Sequence, residues 1–182
     1  MPIGYQIYNQ EALYHLTLQV VHWADIFTRP VYRDIVTESL SYCRQNKGLE
    51  VFAYVIMSNH VHVIVRSKKG KLSDVIRDFK RHTSKKIVTC IIEQSESRRE
   101  WLLMIFRHAA RKHKRNNEYQ FWTHENHAIE LENSKMIEQR INYIHENPVR
   151  AGIVSNAEDY LYSSARNYAE MDCLIEIDRI DG

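Results

Sequence analysis

Chain breakers and cysteines are scarce in this sequence. Five glycines and three prolines among 182 residues exclude a collagen-like repeat and a Gly/Pro-rich disordered chain. Cys43, Cys90 and Cys173 are odd in number and far apart, which excludes a disulfide framework and a zinc-finger pattern. A reducing, cytoplasmic setting is the expectation. No segment approaches the ~18 apolar residues that a membrane span needs. Met1-Pro2-Ile3-Gly4-Tyr5 lacks the charged-then-apolar order of a signal peptide. What remains is 44% apolar and 26% charged, the composition and length of one soluble globular domain. We expect a single domain over 1–182, with a core at about 14–152, a basic insert at about 93–118 and a tail at 153–182.

Net charge is nearly absent, at +2, but the charge is unevenly placed. From Arg66 to Arg115 there are 16 Lys/Arg against 5 Asp/Glu, and elsewhere 9 against 18. A basic block inside an acidic remainder points to a polyanion surface, with solvated helix faces as the plainer alternative. Arg77, Lys80, Arg81, Lys85 and Lys86 lie in its first half and are candidate phosphate contacts. Arg111, Lys112, Lys114 and Arg115 lie in its second half. Such contacts give affinity and salt sensitivity rather than sequence choice.

Leu13–Trp23 reads as a strand rich in β-branched and aromatic residues. Pro30 opens a helix that runs to about Asn46, where Lys47-Gly48 stops it. Leu49–Met57 and His60–Arg66 are two strands around a Ser58-Asn59 turn. Ser73 and Asp74 start a basic helix whose apolar positions are Leu72, Val75, Ile76, Phe79, Thr83 and Ile87. A polar loop from Glu93 to Glu100 leads to a helix over Trp101–Arg115. Tyr119–Leu131 suits one strand, or two short ones. In this stretch one of Phe121 and Trp122 is expected in the core, while the other could stack on an unpaired base. Asn133-Ser134 caps a helix with an Ile137/Ile141/Ile144 stripe, which Pro148 ends or kinks. The order predicts an α+β fold: a ferredoxin-like β-α-β-β-α-β antiparallel sheet with helices on one face. A helical insert precedes the last strand, and a C-terminal helix follows it.

The chemistry starts at Ser58-Asn59-His60-Val61-His62-Val63-Ile64-Val65. Strand residues i and i+2 share a face, roughly 7 Å apart. His60 and His62 therefore present two imidazoles together, half of a divalent-metal site. The helix before Pro148 offers Tyr143 and Asn147, four apart on one face. A phenolate is a nucleophile for phosphorus, and a divalent metal can polarise the phosphate it attacks. His124 and His127 are read as loop histidines, and His145, on another helix face, as structural.

Ile56-Met57-Ser58-Asn59-His60-Val61-His62-Val63-Ile64-Val65, followed by Asn142-Tyr143-Ile144-His145-Glu146-Asn147-Pro148-Val149-Arg150-Ala151-Gly152, resembles the HUH single-strand transposases. The resemblance is strongest to the REP-associated tyrosine transposases and extends roughly from Tyr14 to Tyr168. It implies an enzyme that nicks and rejoins single-stranded DNA through a 5′-phosphotyrosine. In that reading His60 and His62 bind Mg²⁺ or Mn²⁺, Tyr143 is the nucleophile, and Arg150 of the same motif contacts DNA. Asn147 stands where insertion-sequence relatives carry a glutamine metal ligand, one methylene longer. The implied partners are single-stranded DNA hairpins formed by palindromic repeats. Insertion-sequence members exchange the tyrosine helix in a homodimer and REP-associated members need not, so a homodimer stays open. The competing class is a non-catalytic nucleic-acid-binding or repeat-regulating module with an RRM-like sheet.

Overall fold

A computed structural model of the chain describes residues 6–112 and 118–180. Strand β1 covers Tyr14–Gln19, β2 Leu49–Ile56, β3 His60–Ser67 and β4 Ile129–Glu130. The helices are α1 (Pro30–Lys47), α2 (Leu72–Glu93), α3 (Arg99–Arg111), α4 (Ser134–Arg150) and the short α5 (Ala165–Tyr168). The sheet order is β2-β3-β1-β4, antiparallel throughout. That is the arrangement a β-α-β-β-α-β chain adopts when its two halves interleave.

Local chemistry explains the boundaries. Pro30 sits at the first turn of α1, where its missing N–H costs nothing. Gly48 ends that helix in the left-handed region, φ 71°. Asn133 caps α4 by accepting the Met136 N–H at 2.9 Å. Pro148 does not end α4, because it lies in the final turn and the helix runs on to Arg150. The stop comes at Gly152, φ 71°. There the Gly152 N–H donates to Val149 O and the Ile153 N–H to Pro148 O, a Schellman closure.

Strand alternation divides the sheet. Leu16 and Leu18 of β1 and Val61, Val63 and Val65 of β3 are fully buried on one face. His15, Thr17, His62 and Ile64 share the other. Helices α1 and α2 pack on each other, α1 also against β2. Helix α4 packs against β2 and β3 and faces the histidine side, as ring contacts from Tyr143 to His15 and His62 require. The tail runs along the outer edge of β2: the Ile56 N–H donates to Tyr162 O and the Ser164 N–H to Tyr54 O. It thereby covers an edge that would otherwise expose unpaired backbone.

Two elements differ from the sequence reading. β1 stops at Gln19, and Val20–Trp23 turns away with His22 and Trp23 both at φ 54°. Its partner over 119–131 is not a continuous strand. His15 pairs with Ile129, yet Val20 bridges Trp122, so the partner carries two extra residues over that span. His127, at φ 43°, lies within it. Such bulges turn a strand into an irregular segment while keeping it in the sheet. Phe121 and Trp122 are both buried, so each is core. Among the described residues no helix is long and apolar enough to cross a membrane.

Candidate active site

β3 delivers His60 and His62 to one face, with ring centroids 4.7 Å apart. Helix α4 lays Tyr143 across the same place: its ring lies 5.5 Å from that of His62 and 6.0 Å from that of His15. Tyr143 remains 38% exposed. One chain therefore brings the paired imidazoles and the phenol together.

Each histidine is oriented by a neighbour. Asn59 donates its Nδ2 to the Trp23 carbonyl at 3.4 Å, which turns its Oδ1 toward His60. His60 Nδ1 then donates to Asn59 Oδ1 at 2.8 Å, leaving Nε2 with a free lone pair. His62 Nδ1 lies 3.0 Å from Thr17 Oγ1 and 3.1 Å from His15 Nε2. In the tautomer where Nδ1 carries the proton and donates it to either partner, Nε2 keeps its lone pair. Fixing one ring nitrogen so that the other can coordinate is the usual support of a metal-binding histidine.

Burial keeps these rings neutral. Desolvation lowers His60, and lowers His62 to about 2, with further repulsion from His60, His15, Arg140 and Arg150. His15 falls to about 4 through burial, then through the charge of Arg140. A neutral imidazole is the form that binds a metal. Among the described residues no three His, Cys, Asp or Glu are grouped so as to hold an ion. His15 Nε2 is turned to His62 Nδ1, and among the described residues its buried Nδ1 has no hydrogen-bond partner. Two neutral imidazoles plus an amide oxygen nevertheless fit a divalent ion. Asn147 of α4 donates its Nδ2 to the Tyr143 carbonyl at 3.0 Å, a bond that does not use its Oδ1.

Arg150 is tied to the nucleophile candidate. Its guanidinium lies 4.5 Å over the Tyr143 ring and donates to the Tyr143 carbonyl at 2.8 Å. The other basic candidates are dispersed. Arg77 pairs with Asp74 and Asp78, and Arg81 with Asp78, on the exposed face of α2. Lys86 stands 3.9 Å from Glu38 of α1, while Lys85 is exposed. Arg77, Lys80, Arg81 and Lys85 edge a cleft of about 740 Å³ between α2 and the 118–126 segment. Lys80 departs from the expectation of a free phosphate contact. Its ammonium donates to Thr123 O at 2.7 Å and Asn126 Oδ1 at 2.8 Å, and burial lowers it to about 8. It straps the irregular segment to α2. Arg111 and Lys112 are exposed at the end of α3, whereas Lys114 and Arg115 lie outside the described residues. His145 is buried, with Nε2 2.8 Å from Ser164 Oγ.

Sequence reasoning missed His15, Thr17 and Trp23. The first two depend on the β1–β3 register, Thr17 opposite His62 and His15 opposite Ile64, which no local pattern reveals.

No curated protein matches this sequence. Among solved structures the chain is similar to a REP-associated tyrosine transposase bound to a REP hairpin, with a TM-score of 0.62 and 16% identity. The match covers 98% of this chain and 93% of that one, and at that identity it establishes the fold alone. A family model, the IS200-like transposases, matches residues 8–102. That span includes the paired histidines on β3 and stops before α4. With more than half of its sequence matched, the chain belongs to the IS200-like transposase family.

Proposed function

We propose that this transposase cleaves and rejoins single-stranded DNA beside a hairpin, with Tyr143 as nucleophile. The observation that carries the reading is the 5.5 Å approach of the Tyr143 ring to His62 within one chain. The Tyr143 Oη attacks a phosphorus, the bond from that phosphorus to the 3′ oxygen breaks, and the phenol proton is passed to the leaving oxygen. The products are a 5′-phosphotyrosine and a free 3′-hydroxyl. Because the ester keeps the bond energy, a second 3′-hydroxyl can reverse the step and join a new strand without ATP.

His60 and His62 would hold Mg²⁺ or Mn²⁺ through their Nε2 atoms, with Asn147 Oδ1 as third ligand. What such an ion supplies when bound is polarisation of a phosphate oxygen. The remaining work belongs to the chain. Asn59 fixes the tautomer of His60, and Thr17 and His15 hold the ring of His62 in place through Nδ1. Arg150 supplies positive charge where the phosphate must sit. Arg77, Arg81, Lys85 and Lys86, with Arg111 and Lys112, offer phosphate contacts along the strand. The hairpin bound by the solved relative supports a hairpin as partner, and the free thiols Cys43 and Cys90 suit the cytoplasm. The binding-module alternative is less well supported, since α4 occupies the sheet face that an RRM-like reader keeps open.

The test is a denaturing gel of protein mixed with end-labelled hairpin DNA and Mn²⁺. The wild type gives a covalently shifted band. Tyr143→Phe gives none and still shifts the hairpin on a native gel. A Tyr143→Phe protein that retains the covalent band would overturn the reading.

A further inference from the structure

The segment that leaves β1 carries an indole with no place in the core. Trp23 is 60% exposed, whereas Trp122 is 4% exposed, with its Nε1 donating to Thr83 Oγ1. Trp23 is also held in an unfavourable backbone. It and His22 both have φ 54°, in the left-handed region that glycine or asparagine normally fills. Strain of this kind persists only where the surroundings fix it, and it gathers at binding sites.

The surroundings here are the supports of the active site. The Trp23 N–H donates to Val20 O at 3.2 Å, and the Val20 N–H donates to Asn59 O at 3.0 Å. The Trp23 carbonyl accepts from Asn59, the residue that orients His60. Ser58 Oγ donates to Asp25 Oδ1 at 2.7 Å, and Arg98 clamps the Asp25 carbonyl at 3.0 Å. The indole ends 6.3 Å from the His60 ring and nearly perpendicular to it, at 80°. Successive ring contacts thus link Trp23 to His60, His60 to His62 and His62 to Tyr143.

Resting on the function proposed above, we infer that Trp23 is a stacking platform for one unpaired base of the DNA strand, on the His60 side of the phosphate attacked by Tyr143. A solvent-facing indole suits a base of any identity, because every base has a π face. Its rigid mounting spares the strand the entropy of ordering the platform. Stacking there would fix the strand's register relative to His60 while leaving sequence choice to other contacts.

The test uses the full chain with Tyr143→Phe, so that no cleavage intervenes, and a fluorescent synthetic DNA hairpin with oligothymidine flanks. Trp23→Ala weakens binding roughly fivefold to a hundredfold, the worth of one base–aromatic stack. Trp23→Phe keeps most of the affinity. When single flank nucleotides are made abasic in turn, one position weakens the Trp23 protein by a similar factor and leaves the Trp23→Ala protein unchanged. Equal affinity of the Trp23→Ala and parent proteins, or the lack of any such position, overturns the inference. So does a change in oligomeric state as the sole effect. Covalent adduct formation by the protein with Tyr143 intact is read separately. An adduct with no Trp23 effect leaves the transposase reading standing and removes only the platform.

Discussion

Two buried polar clusters lie near the loop that carries Trp23, and they are completed differently. Around Glu96 both carboxylate oxygens are engaged. Its side chain is wholly buried and accepts from the Tyr32 hydroxyl at 2.9 Å, the Arg98 N–H at 3.0 Å and Arg98 Nε at 3.3 Å. Arg29 stands 3.4 Å away. Burial pushes this carboxyl upward, but the bonds from Arg98 and Tyr32 outweigh it and hold it below the ordinary range. Around His62 the accounts stay open. The imidazoles are neutral, and among the described residues the buried His15 Nδ1 has no hydrogen-bond partner. A buried polar group without a partner costs roughly 1–3 kcal/mol. A cluster that leaves such atoms open is suited to a ligand, and a closed one is suited to holding backbone in place.

That contrast can be broken from both ends. The largest effect is expected from His62→Ala, which should lower metal-dependent adduct formation by more than the roughly 10–100-fold typical of a supporting residue while leaving the melting temperature little changed. Unimpaired cleavage, checked on the denaturing gel, would remove His62 from the chemistry. Next comes His15→Phe, which keeps the packing and loses the contact to His62 Nδ1. Mn²⁺ affinity, measured by calorimetry, should fall roughly 10–100-fold and recover in large part with His15→Gln. Equal affinity in all three proteins would make His15 a packing residue.

The smallest effect on chemistry is expected at the closed cluster. Glu96→Ala should cost roughly 1–3 kcal/mol of stability, moderated by the partial exposure of both arginines, and leave adduct formation unchanged well below the melting temperature. Its pH signature has a fixed sign. A carboxyl held low in the folded chain contributes fully above its unfolded value, and that contribution is lost as pH falls through the folded one. The stability gap between wild type and Glu96→Ala should therefore be flat at neutral pH and narrow only below about pH 4.5. Thermal melts across that range would show it, and a gap that widens in acid would refute it.

What could be read from the sequence follows the same division. His60 and His62 are visible because strand alternation is local, and Tyr143 with Asn147 because helix spacing is local. The register that brings Thr17 opposite His62 is set by the sheet as a whole. Glu96 lies in a segment that reads as polar loop, and nothing nearby shows that Tyr32 and Arg29 enclose it. Lys80 reads as one more basic residue of α2, yet Thr123 and Asn126 in the irregular segment beside β1 present a carbonyl and an amide oxygen for it to bind. Trp23 offers no turn signal of its own. Its left-handed backbone is imposed by Asn59 and Val20.

The most direct measurement maps the DNA-linked residue. Protein is incubated with single-stranded hairpin DNA and Mn²⁺, the adduct is digested with protease and nuclease, and the modified peptide is identified by mass spectrometry. The account predicts a nucleotide on Tyr143 alone, formed with Mn²⁺ and absent in excess chelator. A nucleotide on another side chain, or an adduct formed equally well under chelation, would contradict it.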